Sequence, residues 1–472
     1  MSDFRQQLHQ IADRVADYWA EIAQYPVLPA VQPGDIYRQL PSEMPQAGEP
    51  LAQLLADFDH IILPGMTHWQ HPAFHAYFPA NSSEASVFAE LLTAAMGAQC
   101  MVWQTSPAAT ELEQRVMEWL RDALGLPAHW EGVIQDTASA ATLCAILSAR
   151  EQASQGHINQ YGFDGSQQYA VYASAETHSS IDKAVKIAGI GSQNLRKLAV
   201  DEQFALSPTA LEVAVVRDIR HNIKPLCVVA TLGTTGSTAI DPLREIGEIC
   251  QRYGIWLHVD AAFAGVAALL PEARAMLDGI EYADSFVTNP HKWLFTNFDC
   301  SAYYVKDRQA LVQTFEILPE YLKTTADQQV NNYRDWGVAL GRRFRALKLW
   351  FVLRTFGLQG LQTRLRQHLQ LAQQFAAALR RDGQYEIAAP IPFNLVCFRH
   401  CPPHIQDSDA LNAHNAALLA RINQSGKAFL SHTKLNGKYV LRAVFGQTHV
   451  GEQQVNDLIA LLHDLRETKL GQ

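Results

Sequence analysis

Between residues 168 and 305 short apolar runs alternate with helical stretches, and this alternation constrains the fold more than any other feature of the chain. The runs are Tyr169–Ser174, Leu226–Thr231, Ile255–Asp260, Ser285–Thr288 and Ser301–Val305, all of strand length. Helical stretches such as Ser180–Ala188 and Pro242–Tyr253 lie between them. A strand that returns through a helix pairs in parallel with its neighbour, and the helices cover both faces of the sheet. The expected class is α/β, with ligands held beyond the carboxyl ends of the strands. Polar residues gather at those ends. His178 follows the first run and Thr234-Thr235 the second, Asp260 ends the third, and Asn289, His291 and Lys292 follow the fourth.

Two of these ends carry recognisable chemistry. The buried run Ser285–Thr288 stops at Asn289-Pro290, a turn signal, and His291, Lys292 and Trp293 come directly after it. A lysine held between a histidine and a large aromatic is poorly placed to be a solvated surface charge. Partial desolvation lowers its pKa and frees the amine to attack carbonyls. Lys292 comes 32 residues after Asp260, which is followed by Ala261 and Ala262. An acid at one strand end and a lysine at the next is what a pyridoxal phosphate site requires. The amine bonds to the aldehyde carbon, and the acid keeps the pyridine nitrogen protonated so that the ring accepts electrons. Alone, Asn-Pro-His-Lys is more often a turn with a surface lysine, and a strand ending His-Val-Asp is as often a plain strand end or a helix cap. In this order, and followed by Trp293, the two reinforce each other.

Elsewhere the residues leave more than one reading open. From Gly132 to Leu147 a short strand meets a small, hydroxyl-rich turn that opens a helix. Helix-first amides and hydroxyls bind phosphate there, although simple capping by Thr137 or Ser139 is the plainer reading of the stretch alone. Thr67 to Ala80 packs His68, Trp69, His71, Phe74, His75, Tyr77 and Phe78 among prolines, as a packed surface loop or as a binding wall. Its three histidines have no carboxylate beside them, and no metal is expected. Residues 4–23 and the stretch from Pro50 to Ile62 read as helices with apolar stripes, joined by a connector containing Pro26, Pro29 and Pro33. Glu84 to Leu124 reads as mostly helical, broken at Trp103-Gln-Thr-Ser-Pro-Ala, with a helix start at Thr110. The polar stretch from Leu322 to Asn332 reads as a mobile loop that closes over a site, with Tyr321 at its front edge. The expected organisation is a helical segment over 1–83, a large α/β domain over 84–356 and a small α+β domain over 357–472. The last has strand-like runs at Phe393–Arg399 and Tyr439–Val444 and a closing helix from Glu452.

The Asn289–Trp293 motif, the Asp260 strand end, His178-Ser179-Ser180 and the Trp69–Pro79 loop together resemble the group II pyridoxal phosphate decarboxylases. These have fold type I, the aspartate aminotransferase-like architecture. Within them the loop and Gly341-Arg-Arg-Phe-Arg345 look most similar to the aromatic L-amino acid decarboxylases. The resemblance implies pyridoxal 5′-phosphate as cofactor and four catalytic residues. Lys292 carries the cofactor, Asp260 faces the pyridine nitrogen, His178 stacks on the ring, and Tyr321 gives a proton to the substrate carbon. It makes Thr137, Ala138 and Ser139 the phosphate ligands and sets Thr235, Ala262, Asn289 and His291 around the cofactor, with Asp241 in support. Trp69, Tyr77, Phe78, Pro79, Ala80, Gln99 and Met101 then line the substrate. It further implies a homodimer with shared sites, in which the N-terminal helices embrace the partner and Gln99–Trp103 reaches the neighbouring pocket. The chain departs from the family pattern in Asp136-Thr137, where Gly-Ser is frequent, in Ala80, where threonine is usual, and near Gln99–Met101, where larger apolar groups are usual.

Bulk properties exclude several other classes. The 472 residues are 48% hydrophobic and 18% charged, ordinary for a soluble enzyme, and the formal net charge of -9 disfavours nucleic acid and anionic membrane as partners. Seven scattered cysteines read as reduced thiols in a cytoplasm, and neither a signal core nor a run of about 18 apolar residues is found. The expected reaction is decarboxylation of an L-amino acid to its amine and carbon dioxide, with an aromatic substrate: dopa, tyrosine, tryptophan or phenylalanine. A decarboxylase of glutamate or 2,4-diaminobutyrate is the rival. For glutamate a cationic clamp is needed, and the substrate loop shows none. A cysteine desulfurase or aminotransferase fits Trp293 and the aromatic loop less well. A non-catalytic binding protein of the same fold is opposed by the intact set Lys292, Asp260, His178 and Tyr321.

Overall fold

The computed structural model describes residues 2–317 and 329–467, and Tyr321 lies outside them. The chain divides into two compact units. One comprises Met1–Pro79, Gln373–Ala388 and Cys397–Gln472, the other Ala80–Ala372 and Ala389–Val396.

The larger unit is built on seven strands: β1 (Glu131–Gln135), β2 (Gln168–Ser174), β3 (Leu195–Leu198), β4 (Ile223–Thr231), β5 (Trp256–Asp260), β6 (Ser285–Thr288) and β7 (Ser301–Val305). Their order is β1-β7-β6-β5-β4-β2-β3. The run from β6 to β3 is parallel, as the strand–helix alternation requires. β7 is antiparallel to both β6 and β1. Too few residues separate Trp293 from Ser301 for a crossover helix, so the chain turns back directly. Every residue of β5, β6 and β7 is buried. On one face Ile146, Ile181 and Val185 close over Val171, Val229 and Trp256. Near β1 and β7, Ala141, Cys144 and Leu311 close over Val133, Val287 and Tyr303. In register, Thr231 lies beside Asp260 and Asp260 beside Val287, so the carboxyl ends of β4, β5 and β6 form one edge.

The expected strands Ser285–Thr288 and Ser301–Val305 form with those bounds. β3 was not anticipated, because Arg196 and Lys197 interrupt its apolar character. The helix expected from Thr110 begins at Pro107 instead. Proline at the first helical turn needs no N–H partner, and Thr110 donates its hydroxyl back to the Ser106 carbonyl at 3.1 Å.

The smaller unit carries the helices Ser2–Glu21 and Leu51–Asp57 and a four-stranded sheet. Its strands, β8 (Tyr385–Ile387), β9 (Leu395–His400), β10 (Ser431–Leu435) and β11 (Lys438–Val444), run in the order β10-β11-β9-β8. β10, a polar run that sequence reading missed, is held by a two-residue hairpin at Asn436-Gly437. Both turn residues have positive φ, 49° and 78°, which suits the twist of the ribbon. The helices Ser408–Gln424 and Glu452–Glu467 complete the unit. Among the described residues no helix is long and apolar enough to cross a membrane, and no disulfide is formed.

Candidate active site

Lys292 sits in the single helical turn Pro290–Trp293 that follows β6. Three bonds tie this turn to the return strand. The Cys300 amide donates to His291 Nδ1 at 2.9 Å, the His291 amide to the Cys300 carbonyl at 3.3 Å, and Ser301 Oγ to Asn289 Oδ1 at 2.6 Å. Asn289 and His291 are therefore buried fastenings of the turn. Burial pushes the His291 pKa down to about 3, so its imidazole is neutral and the bond from Cys300 leaves the ring proton on Nε2. Asn81 holds the turn from the other side. Its side chain donates to the Lys292 carbonyl at 2.6 Å and its amide to the His291 carbonyl at 3.1 Å. Sequence reasoning missed Asn81, since a lone asparagine after Pro79-Ala80 carries no motif. Trp293 is fully buried. Its indole stacks on Phe263 at 5.1 Å and donates to His368 Nδ1 at 2.9 Å, which makes it an anchor for the turn.

Lys292 keeps some solvent contact, yet enclosure by the surrounding chain dominates and lowers its pKa, while the negative charge of Asp260 opposes the shift. Asp260 is 5% exposed, and its Oδ1 accepts the Ala262 amide at 3.0 Å. Ala262 in turn accepts the Asn289 amide at 2.9 Å, so the two strand ends are stitched together. His178 feels both groups. Burial first and then Lys292 lower its pKa, and Asp260 raises it. The Ser180 amide donates to His178 Nδ1 at 3.1 Å, which leaves the proton of the neutral ring on Nε2. The structure thus brings Lys292, Asp260 and His178 into one electrostatic cluster.

The turn after β4 is rigid. Gly233 has φ +90°, and a Cβ there would come within 2.6 Å of Ala264 Cβ, so only glycine fits. Asp241 accepts the Leu206 amide on Oδ1 and the Thr231 amide on Oδ2, both at 2.7 Å. Thr234 is buried and bonded within the turn, whereas Thr235 is exposed.

At the end of β1, Thr137 caps the helix Ala138–Ser154. It accepts the Ala140 amide at 3.3 Å and donates its hydroxyl to Asp136 at 3.2 Å, so its own donor is in use. The amides of Ala138 and Ser139 have no acceptor within the described chain, and Ser139 is exposed. A helix start with open amides and a free hydroxyl is an anion site.

The donor set of this unit suits pyridoxal 5′-phosphate: an amine of lowered pKa, a carboxylate at the next strand end, an imidazole N–H, and first-turn amides on the same edge of the sheet. Gln99 and Met101 lie in the same unit. The Gln99 side chain accepts the Arg342 amide at 2.7 Å, and the Met101 carbonyl accepts the Arg334 amide at 2.9 Å.

In the smaller unit the loop from Trp69 to Pro79 forms an aromatic cluster. Trp69 lies 4.5 Å from Phe74 and stacks on Tyr77 at 6.0 Å, and Phe429 stands edge-on to Phe74 and Tyr77. Trp69 and Tyr77 remain exposed, Pro79 is buried, and Arg442 lies 5.4 Å over the Phe78 ring. Ala80, half-buried, begins the larger unit. The loop histidines are used internally: His68 with the Tyr18 hydroxyl, His71 with the Ala73 amide, and His75 with the Val444 carbonyl.

Residues 33–401 match the family described as pyridoxal-dependent decarboxylase conserved domain. The chain is 44% identical to tryptophan decarboxylase 2 of Oryza sativa subsp. japonica, over 98% of this chain and 94% of that protein. It is 43% identical to a phenylacetaldehyde synthase of Arabidopsis thaliana, over 97% and 94%. Among solved structures, Oryza sativa TDC with PLP and tryptamine superposes with a TM-score of 0.95 at 36% identity, covering 98% of each chain. The chain belongs to the pyridoxal-dependent decarboxylases, carboxy-lyases of fold type I whose cofactor is pyridoxal 5′-phosphate.

Proposed function

We propose that the protein decarboxylates an aromatic L-amino acid to the corresponding amine, with Lys292, Asp260, His178 and Tyr321 as catalytic residues. The observation that carries the reading is the placement of Lys292 one turn past β6, beside the Asp260 end of β5 to which it is stitched through Ala262 and Asn289, with burial lowering its pKa. Bound pyridoxal 5′-phosphate supplies an electron sink for the pair left on the substrate Cα when carbon dioxide departs. Lys292 Nζ, of lowered basicity, would hold the cofactor at its aldehyde carbon. Asp260 would keep a proton on the ring nitrogen, and His178, with its own proton on Nε2, would be the residue that packs against the ring. The Ala138 and Ser139 amides and the Ser139 hydroxyl take the phosphate, with the Thr137 hydroxyl recruited if Asp136 releases it. Thr235, Ala262, Asn289 and His291 complete the cofactor surroundings, the last three by holding the strand ends together. Tyr321 returns a proton to Cα, which sets amine rather than aldehyde as the product.

The aromatic preference is supported by the exposed rings of Trp69 and Tyr77 beside Phe78, and by relatives named for tryptophan and phenylacetaldehyde. Pro79, Ala80, Gln99 and Met101 are further candidates for substrate contact. We further propose a homodimer in the cytoplasm, with segment 1–83 as its clasp beside domains 84–356 and 357–472. That no disulfide forms among the described residues supports the compartment. The test of function is a panel of dopa, tyrosine, tryptophan, phenylalanine, glutamate and 2,4-diaminobutyrate, with products identified by mass. At least one aromatic substrate should turn over fastest and give amine. Tyr321→Phe should slow amine release by about 10²-fold and divert turnover in air to aldehyde, ammonia and peroxide. Faster turnover of glutamate or 2,4-diaminobutyrate than of all four aromatics would refute the substrate assignment, and unchanged amine release by Tyr321→Phe the role of the tyrosine.

A further inference from the structure

His258, two residues before Asp260 on β5, is fully buried and unused by the chemistry above. Both of its ring nitrogens are engaged. Nδ1 bonds Ser285 Oγ at 2.9 Å, directly across the strand pair, and Nε2 bonds Thr142 Oγ1 at 3.3 Å. Ser285 Oγ also accepts the Trp256 indole N–H at 3.1 Å. Side chains alternate along a strand, so His258 and Asp260 share one face of the sheet. Thr142 stands four residues, one turn, after Ala138 on the helix Ala138–Ser154. Two side-chain hydrogen bonds join this helix to the sheet among the described residues. The other, from Lys224 Nζ to the Ala153 carbonyl, lies at its far end.

The helix otherwise meets this part of the sheet through small residues, Ala141, Cys144 and Ala145 against Val133, Val287 and Tyr303. Such a surface has low relief and resists sliding along the strands weakly, whereas a buried hydrogen bond is directional and costly to leave unmade. Burial pushes the His258 pKa down to about 4, so the ring stays neutral and the bond persists at ordinary pH.

We propose that His258 is a positioning residue: through Thr142 it fixes the spacing between the first-turn amides of Ala138 and Ser139 and the carboxylate of Asp260, so that both ends of the cofactor are gripped at once. The proposal rests on the reading of Ala138 and Ser139 as phosphate ligands. A ligand of fixed length that is held at two points loses affinity when the points slip. A ligand held at one point does not.

The test measures binding of pyridoxal 5′-phosphate and of pyridoxal, which lacks the phosphate, to cofactor-free protein by absorbance and intrinsic fluorescence. Thr142→Val is nearly isosteric and removes the bond, and Thr142→Ser keeps it. Thr142→Val should weaken pyridoxal 5′-phosphate roughly five- to tenfold, the worth of one hydrogen bond, and leave pyridoxal unchanged, while Thr142→Ser binds both like the parent. Equal weakening of both ligands, or equal behaviour of the valine and serine variants, overturns the proposal. Ser139→Asp separates the underlying reading: it should cost phosphate-dependent affinity alone. If it leaves pyridoxal 5′-phosphate binding untouched, the phosphate assignment has failed rather than the tie.

Discussion

At the scale of single residues, the site depends on a few charges held where water would otherwise take them. Asp260 supports the charged form of Lys292 against the burial that lowers its pKa. An amide at 260 still accepts the Ala262 N–H, so Asp260→Asn keeps the strand ends joined while removing the charge. We expect this variant to bind pyridoxal 5′-phosphate, to lose turnover by about 10²-fold or more because the ring nitrogen is no longer kept protonated, and to show a Lys292 pKa lower than the parent's. Absorbance, turnover and pH-dependent lysine labelling on one preparation check all three, and parent-like turnover would exclude Asp260 from the chemistry. The lysine and the acid were legible in the sequence because each closes an apolar run. The fastenings were not: Asn81 acts from a loop 211 residues away in sequence, and His258 lies inside an apolar run with no motif of its own. Thr137 was legible both as a cap and as a phosphate ligand, and its hydroxyl is engaged in the cap.

At the scale of elements, buried parallel strands announced themselves because burial on both faces leaves continuous apolar runs. β3 and β10 did not, since Arg196 and Lys197 interrupt one and four consecutive polar residues, Ser431 to Lys434, fill the other. The helix Glu84–Met96 bears on assembly. Phe88, Leu91, Leu92 and Met96, at helical spacing, are 59%, 50%, 49% and 54% exposed. A stripe of this size facing water suits a second copy of the chain better than solvent, and Phe4, Leu8 and Val15 of the first helix show the same exposure pattern. Light scattering should give twice the 52.5 kDa chain mass, and Leu91→Glu with Phe88→Glu should shift the protein to monomer with loss of turnover. A parent that is monomeric and fully active contradicts the dimer.

At the scale of the molecule, buried neutral histidines link the fold to pH. Burial holds His75 and His400 near about 4 in the smaller unit, and His258, His291 and His368 at about 4, 3 and 3 in the larger. In the unfolded chain these rings take up protons below about pH 6.5, so between there and about 4 the unfolded state binds more protons. Stability is fully present above that window and is lost as pH falls through it. The thermal midpoint should decline steadily from pH 6.5 toward 4, and a flat midpoint across that range would contradict the assignment. The central claim, that the chemistry is organised around the lysine after β6, is tested most directly by trapping. Borohydride reduction of the cofactor-loaded enzyme, followed by peptide mapping, should find the pyridoxyl group on Lys292. Label on a different lysine, such as the buried Lys348 paired with Glu90 at 3.1 Å, would contradict it.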